Sequence, residues 1–165
     1  ECITIQPTLT FTNDDATIGF GTLTASAARW ADGATDGEGV TTTAHTMTVS
    51  TNATTGYTLS YTGALLTNGA ATIDAATITG DADGTAGSNQ FALGATVTGT
   101  GTVASGYSTG SNDYTFVAGS PQSLASASAP ASADTVAVRY LANIAPSKNA
   151  GNYATNLTYI LTANF

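Results

Sequence analysis

An all-β sandwich is the fold this sequence predicts, and three observations predict it. Apolar and polar residues alternate with a period of two along nearly the whole chain, the pattern of strands buried on one face. Threonine and alanine supply 33 and 30 of the 165 residues, and β-branched threonine suits a pleated surface better than a helix. No window repeats apolar residues at i, i+3, i+4 and i+7 for three turns, so no amphipathic helix is expected.

The elements follow in order. Ile3, Ile5, Leu9 and Phe11 form one apolar row, with Pro7 inside it and Thr4, Gln6, Thr8 and Thr10 on the other face. Ile18, Phe20 and Leu23 continue, with Gly19 and Gly21 allowing a bend. A loop rich in Asp and Gly, Ala31 to Gly39, precedes a run in which His45, Met47 and Val49 share a face. Tyr57, Leu59 and Tyr61 do the same after a turn at Asn52–Gly56. Ile73 and Ile78 mark short strands, followed by the row Phe91, Leu93, Ala95, Val97 and by Tyr114 with Phe116. Gly119 to Ala133, nearly all Ser, Ala and Pro, reads as a long surface loop because its side chains offer little to bury. Val136, Val138 and Tyr140 form a late strand, and Leu157, Tyr159, Leu161, Ala163 and Phe165 form the longest apolar row. That last row is expected at the centre of the core. About 8–9 strands with polar linkers make an Ig-like or jelly-roll β-sandwich. Residues 1–12 read as an N-terminal strand and 13–165 as one domain.

Composition narrows the function. Eleven acids against three bases give a net charge of −8, which repels nucleic acid and anionic membrane surfaces. No apolar run reaches the ~18–20 residues of a transmembrane helix, so no transmembrane segment is expected. A chain opening on Glu1, with few basic residues, reads as an exported product from which a signal has been removed. Lone Cys2 suits a free thiol or an intermolecular bond.

Little raw material for catalysis is present. The single histidine, His45, lies mid-strand beside Met47 and Val49, where a partly buried residue with a hydrogen-bond partner is expected rather than a triad member. Asp14-Asp15, Asp32/Asp36/Glu38 and Asp81/Asp83 all sit in loops bearing turn residues, so they read as turn-formers, not as a glycosidase pair. Asp81-Ala82-Asp83-Gly84 spaces its oxygens as a Ca²⁺ loop does, but a plain Asx turn is the default, and no cofactor is expected. Asn52-Ala53-Thr54 and Asn156-Leu157-Thr158 fit the N-glycosylation pattern, which makes Asn52 and Asn156 candidate modification sites. Trp30, flanked by Arg29 and a polar loop, is the aromatic expected at the surface, where it could dock a partner; most tyrosines lie in core rows.

The final stretch carries a resemblance. Val136–Pro146, then Ala150-Gly151-Asn152-Tyr153, then an alternating strand closing on Asn164-Phe165 resembles the end of the spore coat protein U family, which includes subunits of archaic chaperone–usher pili. Ile144, Pro146, Ala150, Gly151, Tyr153 and Phe165 carry the spacing, and Gly19-Phe20-Gly21-Thr22-Leu23 resembles the family's step out of its first core strand. The run Ser50–Leu59 is similar to one in other exported bacterial β-sandwich surface proteins. The resemblance implies a structural subunit of an extracellular, pilus-like filament that polymerises with itself at the cell surface. Its interface would be Ile3, Ile5, Leu9 and Phe11, donated to a neighbour; residues 3–11 as the domain's own first strand is the competing reading. A monomeric cell-surface adhesin or carbohydrate-binding module, with a surface or glycan ligand at Trp30, the tyrosines and Ca²⁺ at Asp81/Asp83, is the alternative from another class.

Overall fold

A computed structural model of the chain describes residues 2–32, 37 and 39–165. Asp36 and Glu38 of the Asp32/Asp36/Glu38 cluster lie outside them. Thirteen strands build the described fold: β1 (Leu9–Asn13), β2 (Arg29–Trp30), β3 (His45–Thr51), β4 (Tyr57–Gly63), β5 (Leu66–Asn68), β6 (Ala71–Ile73), β7 (Thr77–Ile78), β8 (Gln90–Thr98), β9 (Thr102–Val103), β10 (Tyr114–Thr115), β11 (Gln122–Ala127), β12 (Ala131–Asn143) and β13 (Leu157–Ala163). The fold is all-β, with antiparallel sheets packed face to face. One sheet runs β1-β3-β12-β8-β10-β7, with β2 also on β12; the other runs β13-β4-β11-β9, and β5-β6 is a separate hairpin. The two main sheets are therefore unequal, seven strands against four.

Period-2 alternation explains the core. In β3, His45, Met47, Val49 and Thr51 are buried while the threonines and serine between them are half-buried. β4 repeats this with Tyr57, Leu59 and Tyr61. Val136, Val138 and Tyr140 of β12 meet them from the seven-stranded side, with Phe91, Leu93 and Ala95 of β8 alongside. Aromatic rings tie the layers: Tyr61 of β4 stacks on Phe116 at 5.7 Å, and Phe116 lies 4.7 Å from Phe91 of β8. Each such side chain contributes roughly 1.5–3 kcal/mol by leaving water.

Four expectations require correction or refinement. Gly119–Ala133 is not one long loop: Gln122–Ala127 is β11, and β12 already begins at Ala131. β11 pairs with β4, and Leu124, Ala125 and Ala127 are buried. β13 is not central either. It pairs with β4 alone and forms the edge of the smaller sheet. Leu157, Tyr159 and Leu161 do point inward, but they are only half-buried. Alternation reported the face correctly and could not report the neighbour count.

Trp30 is the third case. It is fully buried, not surface-exposed. β2 pairs Trp30 with Leu141 of β12, and the indole lies 5.1 Å from Tyr114 in a second cluster with Ile78, Ala92 and Leu141. The N-terminal row is the fourth. Only Leu9–Asn13 forms a strand, paired with β3 from Leu9 opposite Thr51 to Asn13 opposite Met47. Residues 2–8 carry no strand and are exposed.

Candidate functional site

Directly paired residues of antiparallel strands point to the same face. Leu9, Phe11 and Asn13 pair with Thr51, Val49 and Met47, all buried, so their side chains point into the sandwich. Leu9 and Phe11 nevertheless remain 41% and 37% exposed. The strand order supplies the reason. Tyr159 of β13 reaches Tyr140 of β12 and His45 of β3, so the smaller sheet ends over β3 and β12. Nothing in that sheet lies opposite β1. Leu157, Tyr159 and Leu161 on one wall and Leu9 and Phe11 on the other therefore border an unfilled strand position.

A cavity of about 710 Å³ opens at the Leu157 end of β13. Phe20, Leu23, Phe91, Tyr140 and Ile144 line it, with Lys148 at its rim. Phe20 is held edge-on against Phe91 at 6.1 Å, and Gly19 bridges Asp32. The Gly19–Leu23 step that the sequence singled out thus forms a groove wall.

Polar side chains hold the N-terminal strand in place. The Asn52 carboxamide reads the backbone on both sides of Pro7: Thr8 N–H donates to Oδ1 at 2.7 Å, and Nδ2 donates to the Gln6 carbonyl at 2.8 Å. Thr51 Oγ1 donates to the Thr8 carbonyl at 2.9 Å. Further along, Thr46 N–H donates to Asp14 Oδ1 at 2.7 Å, a contact between distant segments, while Thr17 N–H donates to Asp15 Oδ1 at 2.8 Å and gives that acid its turn-forming task. The candidate modification site Asn52 is thus engaged as a clasp, whereas Asn156 is exposed.

His45 sits at the junction of both sheets. Its Nδ1 lies 2.6 Å from Asn13 Oδ1 and its Nε2 lies 2.8 Å from the Tyr140 hydroxyl, which in turn meets the Tyr159 hydroxyl. Asn13 Nδ2 donates to the Asp15 carbonyl, so Oδ1 faces the imidazole and can only accept. The neutral ring must then carry its proton on Nδ1 and accept at Nε2. The result is a one-way chain from Tyr159 through Tyr140 and His45 to Asn13. Burial lowers the His45 pKa, and the carboxylates of Asp14 and Asp15 oppose that only in part. Burial likewise pushes the phenols of Tyr140 and Tyr159 above their ordinary value. A neutral histidine with both nitrogens occupied joins strands.

Asp134 is the second buried polar centre, and sequence reading missed it. Its carboxylate accepts from Thr100 N–H and Gly101 N–H, each at 2.7 Å, and from the Tyr57 hydroxyl at 3.0 Å. A Cβ at Gly99 would come within 2.1 Å of Asp134 Oδ1, and Gly99 has φ +132°, so the turn after β8 needs glycine there. The signal in the sequence was an acid at an inward register position facing a Gly-Thr-Gly turn. Asn13 and His45 gave the same signal, as polar residues interrupting apolar rows.

The remaining candidates separate from this edge. Asp81 and Asp83 are exposed, and Asp81 Oδ1 accepts from Asp83 N–H at 3.1 Å, the geometry of an Asx turn. Among the described residues no three His, Cys, Asp or Glu side chains gather as a metal site. Cys2 is exposed and free, and no described helix is long and apolar enough to cross a membrane. Comparison with protein-family models, curated proteins and solved structures gives no match to this chain.

Proposed function

We propose that this chain is a structural subunit of an extracellular, pilus-like filament, assembled from copies of itself by donation of the N-terminal segment, and that it performs no catalytic step. One observation carries the reading. Ile3 and Ile5, 86% and 82% exposed, continue an alternating apolar row that finds no partner among the described residues. Exposed extended segments stay ordered only when a sheet captures them, and two exposed isoleucines favour capture by another copy. Donation from one copy to the next is head-to-tail, so the contact does not close and growth gives a fibre. The low charge and threonine-rich strands suit ordered pairing at a cell surface, and the resemblance to spore coat U domains agrees with the same role. The carbohydrate-binding alternative loses its main aromatic, because Trp30 lies in the core.

Deletion of residues 1–8 tests the proposal. By electron microscopy the full chain forms filaments with a regular repeat, while the truncated chain stays monomeric yet keeps its cooperative thermal transition. Filaments of normal repeat from the truncated chain would overturn it.

A further inference from the structure

The cavity at the Leu157 end of β13 has a chemistry of its own, separate from the question of assembly. We infer that it binds an amphiphile with an alkyl chain and an anionic head, a long-chain carboxylate. The tail enters the cavity, and the carboxylate pairs with the Lys148 ammonium at the rim.

Size and lining argue for the tail. At about 710 Å³ the cavity lies within the ~300–1,000 Å³ of small-molecule sites. Phe20, Leu23, Leu66, Ile73, Phe91 and Ile144 give it apolar walls. The two phenols in its lining are already engaged. The Tyr140 hydroxyl meets His45 and Tyr159, and the Tyr153 hydroxyl donates to the Asn149 carbonyl at 2.9 Å. The described buried polar atoms without a partner, on Tyr114, Arg139 and Asn143, line no part of it. A ligand rich in hydroxyls would leave its own groups unpaired against such walls, at a cost in desolvation. An alkyl chain gains by leaving water.

Charge argues for the head. The chain has three bases against eleven acids, yet one of those bases lines the cavity and no described acid does. Lys148 is half-buried, so its aliphatic stem adds to the apolar wall while the ammonium stays at the rim. An ammonium has three donors. Nζ gives one of them to the Thr72 carbonyl, and no ion pair joins it to a described acid. Asp74, the acid nearest in sequence to that carbonyl, accepts from Thr72 Oγ1 at 3.4 Å and is not part of the lining. Two N–H groups therefore remain for a carboxylate, and a charge-assisted bond of that kind is about twice as strong as a neutral one. A cationic amphiphile would meet a charge of its own sign at the same place.

Titration calorimetry of the full chain tests this site with octanoate, dodecanoate, dodecanol and dodecyltrimethylammonium, each below its micelle concentration. Each buried methylene tightens binding about fourfold, so dodecanoate should bind about 100-fold more tightly than octanoate. It should also exceed dodecanol by about 10-fold. Lys148→Met keeps the stem and removes the charge; it should abolish that margin and leave dodecanol binding unchanged. Isoleucine methyl spectra locate the ligand without any variant, in solution or in the solid state according to the state of assembly. Dodecanoate should shift the methyls of Ile18, Ile73 and Ile144, which line the cavity. Those of Ile78, in the second cluster, and of exposed Ile3, Ile5 and Ile160 should stay in place. Shifts confined to Ile3, Ile5 and Ile160 would mean adventitious binding at exposed apolar groups and would overturn the site. Equal affinity for dodecanoate and dodecyltrimethylammonium, or a margin that survives Lys148→Met, would overturn the role of the ammonium. Absence of binding by every probe would overturn the inference as a whole.

Discussion

β1 and β3 lie side by side with nearly the same grammar. β3 reads His-Thr-Met-Thr-Val-Ser-Thr and β1 reads Leu-Thr-Phe-Thr-Asn, both alternating and both pointing their odd-numbered residues inward. Yet every odd-numbered residue of β3 is buried and every residue of β1 is exposed. The difference is the layer opposite. β13 covers β3, and no described strand covers β1. Alternation therefore specifies which face a residue takes, and burial is decided by whether another sheet extends that far.

Substitutions along the two strands can break that comparison. The largest effect is expected for Met47→Ala in β3, about 2–5 kcal/mol lost in denaturant unfolding, as for other emptied core sites. A loss below about 1 kcal/mol would mean that β3 is not covered as described. Leu161→Ala, on the half-buried wall opposite, should cost about 1–2 kcal/mol in the isolated subunit. A value matching that of Met47 would place β13 at the centre after all. Leu9→Ala in β1 should shift the isolated subunit by no more than about 0.5 kcal/mol. The same variant should lower the dissociation temperature of filaments, because only there does the residue gain a cover.

The smallest effect sharpens the comparison through pH. Burial holds the His45 pKa in the folded chain below its unfolded value of about 6.5. As pH falls below that value the unfolded chain takes up a proton that the folded chain refuses. Stability is therefore complete above about pH 6.5 and declines below it. His45→Gln should flatten this acid limb in urea titrations at several pH values. A limb unchanged by the substitution would assign it to carboxylates instead.

Much of this architecture was legible in the residues, and the limits have physical causes. Rows such as Met47/Val49 and Leu59/Tyr61 announced their strands because one face had to be apolar. β11 was illegible because Ser and Ala pack against β4 without any hydrophobic contrast to mark them. Trp30 was misplaced because two-residue β2 is too short to show a period, and its cover comes from distant Ile78 and Tyr114. For the candidate site, the apolar N-terminal row and the Gly19–Leu23 step were visible. The open strand position was not, since it is set by the count of strands in two sheets. Asn52 carried a recognisable motif whose structural use is unrelated to it: the carboxamide imitates a peptide group beside residues 6–8.

The pairing of β4 with β13 has a kinetic consequence. Contacts at this seam join residues very far apart in the chain; Thr55 and Asn164 meet across 109 positions. Tyr57 reaches Asp134 across 77, and His45 reaches Tyr140 across 95. Closing loops of that length before any pairing is gained makes non-local β folds slow, on the order of milliseconds to seconds. During ribosomal synthesis at about 5–20 residues per second, β4 emerges several seconds before its partner. Throughout that interval its edge is bare, and any neighbouring strand with an apolar row can take the place of β13. A nascent chain is thus most open to mispairing along the seam that later borders the open strand position, and shielding β4 during that interval would raise the yield of correctly closed subunits.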